Sequence, residues 1–500
     1  MDMRKKRSLW WGTLTLTGAA LASRGLGLIY RMLLARFLGS EGLGFFQMIF
    51  PFYIALVTLA IAGTPVAVSQ LVAEEHVNRP LLVRRALTVV FVTSLPLIAF
   101  VIFGAKPLAM ILYHDMRFVP LLVTLAPALI AVGISAVLRG YFVGVQRLRY
   151  PAVSQVAEQL SRVVILYTIL NVFGQHAFSN APLVAVALIP LGEGISLIIL
   201  GLAYYRSLSG DSLLETKPVF VSQILRLSIP VTLSRLLGSL VGVIEAFLIP
   251  WRLEMAGMST YNAVRYFGQL TGMALPLILF PTALSMALAT NLIPIVAQAQ
   301  SHQDQDSIRL ALVESLNTTA LFTIPVTIFL LAFGVRLDDL FFHAHIPSNL
   351  FYPLALGGFF LYFDITLAGA LRGLGRTDLP MRNDLIASGI ELALIWLFTM
   401  HLELAPHGIA VAIAIGFAVS PILNTLSIKH LTHISIPWFR ILISPLMSTI
   451  PALMALTLWH LWSLPWHINP LIHLVVGMLL TLGTYGLSLT MTGRSLKTWI

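Results

Sequence analysis

From Ile441 to Gly493 the chain runs without a single Asp, Glu, Lys or Arg. One membrane crossing takes roughly 20 apolar residues. The stretch therefore holds two, divided at Pro465-Trp466-His467-Ile468-Asn469-Pro470. The rest of the chain repeats the pattern. Apolar runs broken by polar turns give about fourteen crossings, at 9–38, 43–73, 86–112, 118–144, 151–173, 182–205, 224–250, 266–297, 308–334, 350–371, 385–402, 408–428, 441–462 and 471–491. The expected fold class is all-α and integral to a membrane. Only 10% of the 500 residues are charged, against about 25% in soluble domains, and the mean hydropathy is +0.88.

Lys and Arg test this count through the positive-inside rule. With the N-terminus in the cytoplasm, 20 of the 31 basic residues fall in inner segments, five in outer segments and six within crossings. That bias supports the span number and puts both termini on the cytoplasmic side. It also assigns most of the +10 net charge to inner loops and anionic lipid rather than to nucleic acid. Arg4-Lys5-Lys6-Arg7 ahead of an apolar run resembles a signal peptide. Cleavage after Ala20-Leu21-Ala22 would leave Arg24 at the new terminus and destroy a repeat described next, so the segment is read as an uncleaved first crossing. The chain has no cysteine, which excludes disulfides and thiolate metal sites.

Two internal repeats divide the chain. Ser23-Arg24-Gly25-Leu26-Gly27 is echoed 211 positions later by Ser234-Arg235-Leu236-Leu237-Gly238. Gly140, Gly144, Arg147 and Pro151 recur 229 positions later, with identical spacing, as Gly369, Gly373, Arg376 and Pro380. The organisation expected is an N-lobe of six helices (1–205), a cytoplasmic linker (206–223), a C-lobe of six helices (224–431) and two C-terminal helices (432–500). Six crossings per lobe is an even number. The lobes then share one orientation and are related by a pseudo-two-fold along the membrane normal.

Charges within crossings are costly and mark functional candidates. Arg24 and Arg31 are seven residues apart and so share a helix face. With Arg235 they suggest a cationic cavity for an anionic head group, because a guanidinium stays charged and matches phosphate with a planar fork of donors. The structural alternative is an ion pair with a neighbouring acid or snorkelling to the interface. Glu245, ten residues after Arg235, fits either a coupling-cation site or a fixed pair with Arg235 or Arg24. Glu158 and Arg162 form an i, i+4 pair in the favourable acid-first order, which suits an intrahelical salt bridge as well as a site. Glu193, Asp364 and Glu391 are single acids within crossings. Asn291 follows proline breaks in the eighth crossing. Pro51 and Pro65 in the second crossing, with Pro281 and Pro294 in the eighth, are candidate hinges, because proline frees carbonyls and bends helices. The loops 301–309 and 336–339 read as solvated turns. The thirteen histidines form no cluster with metal-ligand spacing, and no phosphate-binding glycine loop, HExxH or nucleophile elbow is present. An enzyme is disfavoured, and no cofactor or metal is expected; coupling to Na⁺ or H⁺ stays open.

The stretches GLIYRMLLARFLGSEGLGFFQMIFP, GTPVAVSQLVAEE, VIEAFLIPWRLEMAG, YFGQLTGMALPLILFPTALSMALATNLIP and GALRGLGRTDLPMRND resemble the polysaccharide-biosynthesis flippases of the MOP superfamily, and within it the stage V sporulation protein B group, related to lipid II flippases. The resemblance implies an alternating-access carrier moving a polyprenyl-pyrophosphate-linked saccharide from the inner to the outer leaflet. The cargo it implies is a peptidoglycan precursor such as lipid II, with a role in the cell wall or the spore cortex. It also implies a cationic cavity and a groove for the lipid tail at the last two helices. One departure is Trp251-Arg252 after Pro250, where the family often carries paired basic residues. The partners expected are the lipid-linked substrate, membrane lipid and cell-wall synthesis proteins. Competing readings are a cation-coupled multidrug and toxin exporter of the same superfamily, a membrane glycosyl- or phosphotransferase, and a non-transporting scaffold. Fourteen crossings and three in-span arginines favour the flippase.

Overall fold

The computed structural model describes residues 3–74, 77–173, 180–208, 220–401, 404–463 and 469–491. They are helical almost throughout. The connection expected at 206–223 lies mostly outside the described residues, as do the centre of the turn before the last helix and the basic residues Arg494 and Lys497.

The first helix, α1 (Met3–Ile61), contains 59 residues. A straight helix of that length would reach about 90 Å, roughly three times the hydrocarbon thickness of a bilayer. It is interrupted at Gly39, where φ of 65° and ψ of −179° leave the helical region. A side chain with a Cβ disfavours that backbone, so glycine supplies the turn between the first two crossings. A second break, at Ala62 and Gly63 in left-handed conformations, separates α1 from α2 (Thr64–Ala73). Pro65 stands within the first turn of α2, where its missing N–H costs nothing.

There follow α3 (Arg79–Leu108), which continues as a π-helical turn over 109–113, α4 (Phe118–Gly144), α5 (Arg149–Phe173), α6 (Ala181–Leu208) and α7 (Val221–Met255). The eighth crossing is broken into α8 (Thr260–Gln269), a π-helical turn over 270–274, α9 (Leu275–Leu279) and α10 (Thr282–Ser301). Then come α11 (Gln305–Phe342), α12 (Ser348–Gly373), α13 (Asp378–Phe398), α14 (Ala405–Thr432), α15 (Trp438–Ser463) and α16 (Pro470–Met491). Twelve segments are long and apolar enough to cross a membrane; one of them, 22–73, holds two crossings, and α13 falls outside the twelve. With α13 the chain supplies the fourteen helical passes read from the sequence.

Packing separates two compact units, one of residues 1–254 and 258–272, the other of residues 255–257 and 273–500. The sequence places a boundary at 206–223, but α7 packs with the first unit. It runs antiparallel to the second half of α1: the Ser228 carbonyl meets Gly63, a Cβ on Gly242 would lie 3.6 Å from Pro51 Cβ, and Phe247 stacks on His114. Contacts at Ser228, Gly242 and Phe247 thus tie α7 to the first unit.

In the first unit α1 packs on α5, α8 and α4, and α4 packs on α6, α3 and α2. A core of Val68, Val72, Leu82, Val90, Val137 and Phe142 is closed over by Leu200 and Ile224. In the second unit α12 is central, packed on α14, α10 and α11, around Leu292, Val296, Leu316, Leu367 and Leu371. α15 and α16 pack on each other and on α11, with Leu321, Ala452, Tyr485 and Leu489 buried together.

The glycine repeat does the same work in both units. A Cβ at Gly140 would lie 2.6 Å from the Pro65 carbonyl oxygen, and one at Gly144 would lie 2.8 Å from that of Ser69. At Gly369 a Cβ would lie 2.8 Å from Ala289, and at Gly373 2.9 Å from the Ile293 carbonyl oxygen. The two glycines one turn apart let α4 press onto α2, and α12 onto α10, backbone against backbone.

Candidate functional site: charges inside the membrane-spanning helices

The first unit gathers two arginines and two glutamates from three helices. Arg139 on α4 donates through Nη2 to Glu158 Oε2 and to Ser196 Oγ, each at 2.8 Å. Arg162, one turn along α5 from Glu158, reaches Glu158 Oε1 at 3.0 Å and Glu193 Oε1 on α6 at 3.4 Å, with a further contact to the Ile189 carbonyl oxygen at 3.5 Å. Glu193 Oε2 stands 3.9 Å from Arg139. Glu158 is the hub, each oxygen holding a different guanidinium. Its side chain is 8% exposed and that of Glu193 10%.

Two positive and two negative groups balance, which is what allows four charges to be buried together. The sequence prepares the room. Gly192 precedes Glu193, and a Cβ there would fall 2.5 Å from Arg162 Nε, so glycine leaves the room that the Arg162 side chain fills beside α6. Four buried polar atoms around the quartet have no hydrogen-bond partner: Arg139 Nε, Arg162 Nε, Glu193 Oε2 and the hydroxyl of Tyr53, a residue of α1 in electrostatic reach of Glu193, Arg162 and Glu158.

The arginines of α1 and α7 stand apart from this network. Arg31 is half-buried and Arg235 exposed; neither is in an ion pair with a described residue. Arg24 is half-buried and makes an interaction of its own. Glu245 is half-buried in α7 and forms no ion pair among the described residues, with Arg235 or any other base. The first unit thus has a neutral quartet on α4, α5 and α6 and, apart from it, Arg24, Arg31, Arg235 and Glu245 on α1 and α7. Asn291 is exposed on α10 and belongs to the second unit.

The proline positions differ among themselves. Pro65 and Pro281 stand where helices are interrupted, Pro281 being the residue before α10. Pro51 and Pro294 lie inside continuous helices.

The second unit holds a polar cluster that spacing alone could not reveal. Asp364 on α12 accepts from Ser420 Oγ and Asn424 Nδ2 at 2.8 Å each. Ser420 Oγ is also 2.5 Å from Asp384 Oδ1, and Asn383 Nδ2 donates to Asn424 Oδ1 and Ser427 Oγ. A hydroxyl has one hydrogen to give. Ser420 therefore donates to only one of the two carboxylates at a time, the buried Asp364 or the exposed Asp384. The loop 336–339, read as a solvated turn, is corrected at Asp338. α11 continues to Phe342, and Asp338 is fully buried with neither carboxylate oxygen hydrogen-bonded. Among the described residues no group of three or more His, Cys, Asp or Glu could hold a metal ion.

The family described as polysaccharide biosynthesis protein matches residues 9–300, and the MatE family matches residues 270–397. Stage V sporulation protein B of Bacillus subtilis (strain 168) is 28% identical over 452 residues, which cover 86% of this chain and 85% of that protein. Lipid II flippase MurJ of the same organism is 30% identical over 181 residues, covering 32% of this chain and 33% of that protein. Among solved structures, lipid II flippase MurJ in an inward closed conformation aligns with a TM-score of 0.71 at 16% identity, covering 97% of this chain and all of that one. An inward-facing multidrug resistance MATE family transporter of the MOP superfamily aligns with a TM-score of 0.66 at 16% identity, covering 82% of this chain and 94% of that one. At this identity the structural likeness speaks to the fold.

Proposed function

The chain belongs to the polysaccharide biosynthesis protein family, within the MOP superfamily of membrane transporters, and on that premise we propose that it is an alternating-access flippase for a polyprenyl-pyrophosphate-linked saccharide. The cargo class includes peptidoglycan precursors such as lipid II, and the direction is from the inner to the outer leaflet of the bacterial plasma membrane, with both termini cytoplasmic.

The observation that carries this reading is the surplus of positive charge on α1 and α7. Arg24, Arg31 and Arg235 stand against Glu245 alone, and Arg31 and Arg235 have no ion pair among the described residues. A charge held in a membrane without a partner is expensive unless water or a ligand meets it. A pyrophosphate is a fitting ligand, because guanidinium groups bind phosphate oxygens in forked pairs. Outward movement of that anion also runs down a negative-inside potential, worth about 2.3 kcal/mol per charge per 100 mV. The quartet of Arg139, Glu158, Arg162 and Glu193 is internally neutral and serves as scaffold.

A second reading, a cation-coupled exporter, is favoured by one observation: the Asp364–Ser420–Asp384 arrangement, in which two carboxylates share one hydroxyl within the second unit. In the flippase this cluster supplies a coupling site. The test is flipping in proteoliposomes. A labelled polyprenyl-pyrophosphate sugar is loaded in one leaflet and its exposure followed for the wild type, Arg24→Ala and Arg235→Ala. The expected result is flipping by the wild type that the variants lose. No flipping, together with Na⁺- or H⁺-driven movement of a cationic dye, would replace the flippase by the exporter.

A further inference from the structure

The turn after α4 and the turn after α12 are copies of each other in backbone and opposites in charge. In the first, the N–H groups of Val145, Gln146 and Arg147 donate to the carbonyls of Tyr141, Val143 and Phe142. In the second, Leu374, Gly375 and Arg376 donate to Ala370, Arg372 and Leu371. Each residue corresponds to its partner at the repeat offset of 229, and both turns pass through a left-handed residue, Gln146 at φ 58° and Gly375 at φ 78°.

The side chains then diverge. Arg376 is closed by Asp378, Nε to Oδ1 at 3.0 Å and Nη2 to Oδ2 at 2.8 Å. The position matching Asp378 is Arg149. Instead of neutralising Arg147 it adds a second positive charge, and it is itself held over Tyr150, donating to the ring hydroxyl at 2.8 Å. Arg147 is exposed and in no ion pair with a described residue.

Beside Arg147 the first unit has a polar cleft of about 410 Å³, bounded by Ala73, Arg79, Tyr141, Gly144, Gln146, Arg147 and Ser207. Arg79 opens α3, whose N-terminal end carries a partial positive charge. The last carbonyls of α4 are already satisfied by the turn, so the guanidinium of Arg147 is not required to cap them. Gln146 keeps a side chain at a backbone position where its counterpart is glycine, a conformation that side chains with a Cβ disfavour; its amide is exposed beside the cleft. Arg206 adjoins Ser207, and Glu74, exposed next to Ala73, is an acid near the rim.

We propose that this cleft binds the phosphate group of an anion on the face that the basic residues assign to the cytoplasm, with Arg147 and Arg79 as its positive ligands. Two arginines, an amide and the Tyr141 hydroxyl in one cleft suit the oxygens of a phosphate mono- or diester, while the Ser207 hydroxyl donates to the Tyr204 carbonyl. The sources offering that chemistry are the head group of an anionic phospholipid and a soluble phosphate. The equivalent turn of the second unit carries its own anion, Asp378, and does not bind. The site is separate from the arginines of α1 and α7 and does not depend on their role in transport.

The experiment uses the full-length protein in detergent and counts phosphatidylglycerol and phosphatidylcholine adducts by native mass spectrometry. Arg149→Asp copies the second unit's pairing into the first and so preserves the fold; Arg147→Gln removes the ligand; Asp378→Arg opens the second turn. Phosphatidylglycerol affinity is expected to fall about tenfold in Arg149→Asp and Arg147→Gln, with phosphatidylcholine unchanged, and Asp378→Arg is expected to gain one adduct. Added inorganic phosphate that displaces the lipid assigns the cleft to soluble phosphate; lipid that stays bound assigns it to the head group. Equal phosphatidylglycerol binding by the wild type and Arg149→Asp, with no displacement by phosphate, would overturn the proposal.

Discussion

Glu158→Gln tests whether the buried quartet is a scaffold. The substitution keeps the side-chain volume but removes the charge that holds Arg139 Nη2 at 2.8 Å and Arg162 Nη2 at 3.0 Å. Removing one member of a buried ion pair costs about 3–5 kcal/mol, because the partners stay buried and uncompensated. Glu193 softens the loss, since it already stands 3.4 Å from Arg162 and 3.9 Å from Arg139, so the expected cost is at the lower end, about 3 kcal/mol. In a chain of this size that lowers the thermal midpoint by about 5 °C. Scanning fluorimetry of the detergent-solubilised protein, using its nine tryptophans, reads the shift. Arg139→Gln added to Glu158→Gln should recover part of it, with a coupling of at least about 1 kcal/mol, as groups sharing one network do. A Glu158→Gln midpoint within about 1 °C of the wild type, or strict additivity in the double variant, would refute the scaffold role.

Three other outcomes follow from the geometry. Gly192→Ala should destabilise the wild type, because its Cβ meets Arg162 Nε, yet have little further effect once Arg162→Ala has removed the guanidinium; equal losses in both backgrounds would contradict the contact. Gly144→Ala and Gly373→Ala should each cost about 1–3 kcal/mol of thermal stability by overpacking, whereas Gly389→Ala, with open space around it, should cost nothing or stabilise. The hydrogen bond from Arg376 holds the Asp378 carboxyl down at about 2, below the ordinary value near 3.9. Its contribution is therefore present above pH about 4 and is lost as pH falls toward 2. The difference in midpoint between the wild type and Asp378→Asn should be constant from pH 7 to 5 and shrink on further acidification; a difference that grew would reverse the assignment.

Much of the fold was legible because lipid imposes few solutions. Charge-free runs such as 441–462 and 471–491 correspond to α15 and α16; the glycine repeat reads in sequence only as a sign of two lobes, and its packing role, helices meeting backbone to backbone, comes from the structure. Breaks were less legible. Proline alone does not decide where a helix ends: at Pro65 and Pro281 the chain turns, and at Pro51 and Pro294 it continues. The charge clusters were legible only in pairs. Glu158 and Arg162 are one turn apart on one helix, but Arg139, Glu193 and Ser196 join them from α4 and α6, and no spacing along the chain records that meeting. Asp364, Asp384 and Ser420 come together from three helices in the same way. Asp338 shows the converse: Arg336-Leu337-Asp338-Asp339, with three charges in four residues, reads as solvent-facing, yet Asp338 is fully buried.

The central claim is that the intramembrane charges divide into a neutral quartet that holds the first unit together and arginines on α1 and α7 that meet the cargo. The most direct test measures thermal midpoint and flipping of a polyprenyl-pyrophosphate sugar on the same samples of Arg31→Gln and Arg235→Gln. The expected result is an unchanged or raised midpoint, since an unpaired charge has been removed, together with loss of most flipping. A lowered midpoint with flipping retained in proportion to folded protein would make these arginines structural and contradict the division.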